Sequence, residues 1–214
     1  MAASIHPVVT PPLDAPEAAP SFSLFDHRRR ITVDEYHRIV EAGILGAEPR
    51  VELLDGVIVN KMTKNPPHNL ACDLIQHLMM SLVGTGHFIS MGTSMTVEEY
   101  QGEPEPDAMI LRGKPRDYTN RRRTPENAPL VIEVSDTSYS EDRSVKWSLY
   151  AASGIPVYWI LNLKQNQLEI HAEPTGRGEA ASYAQRTILG PDDEVPLVLD
   201  GREIGRFILR EILP

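Results

Sequence analysis

The sequence has little cysteine and no long apolar run, and both absences restrict what the protein can be. Among 214 residues there is a single cysteine, Cys72, so no disulfide can form within the chain and a reducing cytosol is the expected compartment. No apolar run approaches the roughly 18 residues that a membrane-spanning helix needs. The N-terminal segment lacks the basic and apolar regions of a secretory signal. We therefore expect a cytoplasmic protein that makes no membrane contact.

Several common catalytic motifs are also absent. The sequence contains neither GxxxxGK[ST] nor GxGxxG, which excludes the usual nucleotide-binding loops. It has no HExxH or CxxC spacing, so a zinc site is not predicted. There is no GxSxG elbow, and Cys72 lies in a predicted core helix with no base partner that the sequence reveals.

Positive charge is scarce overall but concentrated in one segment. The net charge is -9, which argues against a protein whose whole surface binds nucleic acid. Residues 112–123, RGKPRDYTNRRR, nevertheless carry six basic side chains against one acidic one. A local basic loop can bind a phosphate backbone even on an acidic protein. The candidate nucleic-acid-binding residues are Arg112, Lys114, Arg116, Arg121, Arg122 and Arg123.

The first half of the chain predicts an arm, two helices and a hairpin. Residues 1–22 are rich in proline and alanine, which is typical of a disordered or loosely attached arm, and residues 23–214 are predicted to form one domain. TVDEYHRIVEAGIL, which starts at Thr32, has the signature of a capped helix. VELLDGVIVN predicts a hairpin turning at Asp55-Gly56. PPHNLACDLIQHLMMSLVG predicts a core helix buried through its leucines at 70, 74, 78 and 82.

The second half predicts mostly strands. HFISM, DAMILR, PLVIEVS and VYWILNL are short apolar runs, and SYSEDRSVKWSLYAASG between the last two predicts a helix. The tail, with QLEIHAEP, SYAQRTIL and VPLVL, predicts a β-meander. This order of elements indicates an α/β or α+β domain built on a mixed central sheet.

Three carboxylates interrupt apolar runs and are the main candidates for chemistry. Asp107 and Glu133 lie in two predicted neighbouring strands, and Glu52 lies beside the hairpin turn. A carboxylate in a buried strand must be ion-paired, hydrogen-bonded or bound to a metal, because an isolated charge there costs several kcal/mol. If two of them converge, a divalent cation would relieve their repulsion. The alternative is a set of separate ion pairs with the many arginines, or, for Glu52, a solvent-facing position.

Two further residues have both a structural and a functional interpretation. Lys146 lies on the helix that follows the strand of Glu133, and its i, i+4 spacing from Asp142 predicts an ordinary surface ion pair. His68, at the start of the second helix, could reach a metal or a phosphate, whereas His77 lies on another face.

Four segments, taken together, resemble a known family. VELLDGVIV, PPHN, PDAMILRG and the long run from Leu130 to Leu163 occur in the order typical of the bacterial Uma-type restriction endonuclease family, a branch of the PD-(D/E)XK nuclease superfamily. The resemblance covers roughly residues 30–172. It implies a restriction-endonuclease-like fold: a mixed central β-sheet flanked by helices.

The resemblance also implies roles for individual residues. Asp107 and Glu133 match the two acidic metal ligands, and Glu52 matches an upstream glutamate that acts as a further ligand or base. The superfamily lysine position, two residues after the acid, is here Ser135, so the resemblance implies that Lys146 supplies the ammonium from the next helix. Ser135 and His68 are accessory candidates.

The function that follows is a Mg²⁺- or Mn²⁺-dependent endonuclease that hydrolyses DNA, and a homodimer, because cutting two strands needs two sites. One alternative is a non-catalytic nucleic-acid-binding or regulatory relative with the same fold. Another is a metal-dependent hydrolase of a different phosphoester, which the acidic net charge allows.

Overall fold

The structure, a computed structural model, describes residues 29–46 and 50–214 of the chain. The arm predicted for residues 1–22 lies outside the described residues. Within the described ranges, no helix is long and apolar enough to cross a bilayer.

A six-stranded mixed sheet forms the centre of the molecule and confirms the predicted fold class. Its strands follow the spatial order β3-β4-β5-β6-β7-β8. All neighbours are antiparallel except β5 and β6, which run parallel because a helical crossover connects them. The strands are β3 (His87–Met91), β4 (Ala108–Arg112), β5 (Leu130–Ser135), β6 (Val157–Asn162), β7 (Gln167–Thr175) and β8 (Ser182–Leu189).

Two hairpins lie outside this sheet. The first, β1 (Val51–Leu54) and β2 (Val57–Asn60), turns at Asp55-Gly56 as predicted, with positive φ at both residues (50° and 71°). The second consists of β9 (Glu194–Leu199) and β10 (Arg202–Ile208). The predicted meander is therefore right for β7 and β8, but β9 leaves the sheet and, in the described part of the chain, pairs with β10 alone.

The first helix begins where its cap predicts, and the second begins at its predicted prolines. In α1 (Val33–Glu41) the side chain of Thr32 accepts from the Glu35 amide, and α2 (Pro66–Leu82) is capped by Asn65. The predicted buried face of α2 is wrong by one position. Leu70 is 47% exposed, and the fully buried stripe is Ala71, Ile75 and Met79, with Leu78 and Leu82 half-buried against the same core.

The crossover between β5 and β6 is a helix in three consecutive parts. They are α3 (Tyr139–Glu141), a π-helical segment (Asp142–Lys146) and α4 (Trp147–Ala152). A π-helical segment widens the helix by one residue per turn and often marks a functional site. This wider turn contains both Asp142 and Lys146.

The sheet separates two apolar cores. On one face, α2 and the β9–β10 hairpin pack over Ile110, Ile132 and Trp159. On the other face, α4 packs over Met109, Val131 and Tyr158. As predicted, Tyr150, Tyr158 and Trp159 are core residues. Since strand residues alternate between faces, Glu133 and Ser135 share the α4 side with Val131.

Candidate active site

A polar cleft opens at the end of the sheet where β5 meets the crossover helix. It receives side chains from β1, the β2–α2 loop, the residue before β4, β5 and the π-helical segment. Six carboxylates and three lysines line it. The charged lining residues are Glu52, Asp107, Glu133, Asp136, Glu141, Asp142, Lys61, Lys64 and Lys146, with His68 beside them.

Glu133 is fixed in the middle of this cleft. Its side chain is almost fully buried, and Oε1 accepts hydrogen bonds from Lys146 Nζ (3.1 Å) and from the Tyr150 hydroxyl (2.9 Å). Burial raises the pKa of Glu133 well above its ordinary value, and the nearby carboxylates of Asp142 and Glu52 add to this against the opposing charge of Lys146. Among the described residues, no hydrogen-bond donor contacts Oε2, so this oxygen is available for another ligand.

Lys146 joins three carboxylates. Its Nζ lies 3.1 Å from Glu133 Oε1, 3.4 Å from Glu52 Oε1 and 3.8 Å from Asp142 Oδ1. Burial alone would lower the pKa of Lys146, but these carboxylates outweigh it and hold that pKa above its ordinary value. The predicted pair with Asp142 does form, but the expectation of a surface pair is wrong because both side chains are buried inside the cleft.

Asp142 connects the serines of the β5–α3 turn to this cluster. Its Oδ2 accepts hydrogen bonds from Ser135 Oγ and Ser138 Oγ, each 2.6 Å long. Burial raises the pKa of Asp142, although the charge of Lys146 opposes the shift. Ser135 therefore belongs to the network, but it reaches Lys146 only through Asp142.

Asp107 lies at the same cleft with a different set of partners. Its Oδ2 contacts His68 Nε2 (3.2 Å) and accepts from the Val134 amide (2.9 Å), and its Oδ1 pairs with Lys64 Nζ (2.8 Å). Burial alone would raise the pKa of Asp107, but the hydrogen bond from His68 and the charge of Lys64 hold it well below its ordinary value. Asp107 is thus a charged carboxylate that a backbone amide of β5 holds in position.

Glu52 completes the group through β1. Its Oε2 accepts from the Glu105 amide (3.0 Å), and this bond turns Oε1 toward Lys146. Glu52 is buried, so the interpretation of a solvent-facing glutamate is wrong. The expectation of separate arginine pairs is also wrong here, since lysines neutralise Glu52, Asp107 and Glu133.

The basic loop does not enter the cleft. Asp107 precedes β4 and Arg112 ends it, so the loop begins about 16 Å away at the opposite end of the strand. Arg112 pairs with Asp200, and Arg122 pairs with Glu98. Guanidinium groups of Arg121 and Arg123 lie over the ring of Tyr118, whereas Lys114 and Arg116 are exposed and form no ion pair within the described ranges.

Sequence reasoning missed several cleft residues. Lys64 and Asn65 come from a loop without an apolar pattern, and only the fold brings them to the cleft, where Asn65 hydrogen-bonds Asp136. Tyr150 could have been found, because Asp142, Lys146 and Tyr150 recur at i, i+4 and so lie along one helix face.

Cys72 also has a partner that the sequence did not reveal. Its Sγ lies 3.6 Å from His68 Nδ1, and His68 Nε2 in turn contacts the Asp107 carboxylate, so the imidazole connects the thiol to the carboxylate. This order is that of a nucleophilic triad. Burial, however, raises the pKa of Cys72 to about 12, so the thiol is protonated at neutral pH and is a poor nucleophile.

A separate buried cluster holds the helix that carries Lys146. Glu169 on β7 accepts from the Tyr139 hydroxyl (2.5 Å) and from Arg186 (2.9 Å to Nη2), and Arg143 lies 3.5 Å away. Burial alone would raise the pKa of Glu169, but hydrogen bonding to His171 and Tyr139 and the charge of Arg186 lower it to about 2. Because Tyr139 and Arg143 belong to the crossover, this cluster fastens the crossover to β7 and β8.

Comparison with known proteins agrees with this architecture. The sequence pattern of the Uma2 family, described as "Putative restriction endonuclease", matches residues 33–205. No curated protein matches the chain significantly. A similar solved structure is described as a "putative nuclease belonging to DUF820" from Anabaena variabilis ATCC 29413, with 14% identity, a TM-score of 0.61, and coverage of 85% of this chain and 97% of that chain. At such low identity the likeness concerns the fold, which it confirms as restriction-endonuclease-like. Since the family pattern spans most of its length, the chain belongs to the Uma2 family of restriction-endonuclease-like proteins.

Proposed function

We propose that the protein is a divalent-metal-dependent endonuclease that hydrolyses DNA phosphodiester bonds. One observation carries the proposal: Glu52, from a distant part of the sequence, meets Glu133 and Lys146 in a cleft that also contains Asp107. Burying the carboxylates of Glu52, Glu133 and Asp142 around the Lys146 ammonium lowers the stability of the fold. A purely structural protein has no need of this arrangement, whereas a hydrolase does.

Asp107 and Glu133 would hold the metal. Both present carboxylate oxygens to one cleft, and such hard donors suit Mg²⁺ or Mn²⁺. Within the described ranges no donor contacts Oε2 of Glu133. Lys64, the cation paired with Asp107, is 41% exposed and can therefore move away. A bound ion would polarise the phosphodiester and lower the pKa of a water molecule.

The remaining residues would position charge and substrate. Lys146 stays protonated and would stabilise negative charge that develops on the phosphoryl oxygens. Tyr150 and Glu52 fix Glu133 and Lys146 in place by hydrogen bonding and charge. Lys61 and Lys64 at the cleft rim would contact the phosphate backbone.

The basic loop of residues 112–123 would contact the duplex away from the scissile bond. It begins about 16 Å from Asp107, which is less than one turn of DNA, so one duplex can reach both regions. Lys114 and Arg116 are its free cations within the described ranges. We also propose a homodimer, because cleavage of both strands needs two sites; sedimentation equilibrium at several concentrations tests this.

Plasmid cleavage tests the function and the site together. Wild-type protein should nick or linearise supercoiled DNA with Mg²⁺ or Mn²⁺ and not with EDTA. Asp107→Asn and Glu133→Gln should abolish cleavage while the circular dichroism spectrum is retained. Asp73→Asn, at an exposed carboxylate on α2, is the matched control and should remain active. Cleavage that survives both cleft substitutions would refute the assigned site.

Substrate competition addresses the alternatives. Parallel reactions with single-stranded RNA and with bis(p-nitrophenyl) phosphate would show whether DNA is preferred. Faster hydrolysis of the small diester than of DNA would favour a hydrolase of another phosphoester, and DNA binding without any cleavage would favour a non-catalytic relative.

A further inference from the structure

His68, Cys72 and Asp107 form a cluster that the proposed hydrolysis does not use as a unit. His68 and Cys72 are four residues apart on α2 and therefore lie on one face of the helix. One ligand atom from each of the three side chains lies within 4.8 Å of the other two. The thiol is the unusual member, because Mg²⁺ does not use sulfur ligands.

The distance between the thiol and the imidazole suits a tetrahedral ion. With bonds of about 2.3 Å to sulfur and about 2.1 Å to nitrogen, two ligands at a tetrahedral angle lie about 3.6 Å apart. Cys72 Sγ and His68 Nδ1 are 3.6 Å apart. Asp107 Oδ2 accepts a hydrogen bond from the Val134 amide, which is the kind of outer contact that orients metal ligands.

We propose that His68, Cys72 and Asp107 bind a thiophilic divalent cation, with Zn²⁺ as the best fit, and that this ion inhibits the enzyme by withdrawing Asp107 from the hydrolytic metal. Sulfur and imidazole ligands select zinc over magnesium. Binding forms an Sγ–metal bond and releases the thiol proton to solvent, and no electron is transferred. The proposed binding site is inferred from the positions of the three side chains, whereas the proposed inhibition rests on the proposed nuclease function.

Cobalt titration tests the binding site without reference to activity. Full-length protein titrated with Co²⁺ should develop the near-ultraviolet absorption of a cobalt–thiolate bond, with one ion per chain, and Zn²⁺ should remove it. Cys72→Ser should lack this absorption and bind Zn²⁺ more than about tenfold more weakly, since even outer-shell contacts of a metal site contribute that much. His68→Ala should also weaken binding, whereas His77→Ala, an exposed histidine on the same helix, should not.

The inhibition is measured separately. Plasmid cleavage with Mg²⁺ is measured at increasing Zn²⁺, and each protein is compared with its own rate without zinc. The Zn²⁺ concentration that halves this rate should be more than about tenfold higher for Cys72→Ser than for wild type. Equal inhibition of both proteins would overturn the inhibitory role. Absence of the cobalt–thiolate absorption in wild type, or equal Zn²⁺ affinity of wild type and Cys72→Ser, would overturn the site. If zinc binds through Cys72 but no variant cleaves DNA, the failure lies with the nuclease proposal instead.

Discussion

Replacing Lys146 by methionine is the most direct test of the cleft, because it removes one ammonium and leaves the side-chain length nearly unchanged. In the folded protein this ammonium lies within 4 Å of Glu133, Glu52 and Asp142. The side chain of Lys146 is only 9% exposed, so water cannot replace the lost charge. The variant therefore has three buried carboxylates with no cation between them.

The expected loss of stability is large. A unit charge 3.1 Å away contributes about 5 kcal/mol of attraction at an effective dielectric constant near 20, although desolvation offsets much of it. Removing one member of a buried ion pair costs about 3–5 kcal/mol in measured cases. We expect Lys146→Met to lower the free energy of unfolding by about this amount. Urea denaturation followed by tryptophan fluorescence measures it.

A second substitution separates stability from catalysis. Glu133→Gln in the Lys146→Met background removes the carboxylate that lies nearest to the lost ammonium, 3.1 Å away in the wild type. The double variant should therefore recover more than about 1 kcal/mol of unfolding free energy relative to Lys146→Met alone. It should still cleave no DNA, because both the ammonium and the metal ligand are missing. Lys164→Met, at an exposed lysine, is the control for loss of a lysine as such.

Two results would contradict this reasoning. Stability of Lys146→Met within about 0.5 kcal/mol of wild type would mean that the ammonium is not enclosed by carboxylates. Full Mg²⁺-dependent cleavage by the single variant Lys146→Met would mean that its role is confined to folding.

Three further predictions concern the rest of the molecule. The pKa of Glu169 in the folded protein is lowered to about 2, so its contribution to the free energy of unfolding is complete above the unfolded pKa near 4.5 and is lost as pH falls toward 2. In urea titrations at several pH values, about 3 kcal/mol of this acid dependence should disappear in Glu169→Gln. It should persist in the control variant Glu173→Gln. Gly56→Ala should lower the free energy of unfolding by more than about 1 kcal/mol, since φ is +71° and the added Cβ would lie 2.6 Å from Cβ of Arg30. An unchanged urea midpoint would contradict this. Replacing Lys114 and Arg116 together by alanine should reduce the slope of log K against log salt for duplex DNA by about one to two, and an unchanged slope in fluorescence anisotropy would exclude the loop from the interface.

Local rules predicted most of the fold. The Asp55-Gly56 turn and the cap at Thr32 depend on a few adjacent residues, so their sequence signals are sufficient. The buried face of α2 was mispredicted because two neighbouring stripes of this helix are apolar. Packing against the sheet, which favours the small Ala71, selects between them.

Some residues of the candidate site could likewise be predicted from the sequence, and others could not. The acids within apolar runs, Glu52, Asp107 and Glu133, could be identified because burial of an unpaired charge is so unfavourable that it demands an explanation. Lys64 could not, because it lies in a loop whose sequence has no pattern and reaches Asp107 only after folding. The position of the basic loop likewise follows only from the fold, because β4 places it at the end of the strand opposite Asp107.

The order of the elements, the Uma2 family and the acids within apolar runs (Glu52, Asp107 and Glu133) could be predicted from the sequence alone, because they depend on periodicity, turn chemistry and the cost of burying charge. Which cation neutralises which carboxylate follows only from the folded structure. The π-helical turn directs Lys146 inward to Glu133 and Glu52, and the start of α2 brings His68 and Cys72 to Asp107. Such contacts join residues that are distant in the chain, so they follow from the packing of the elements and not from any local pattern.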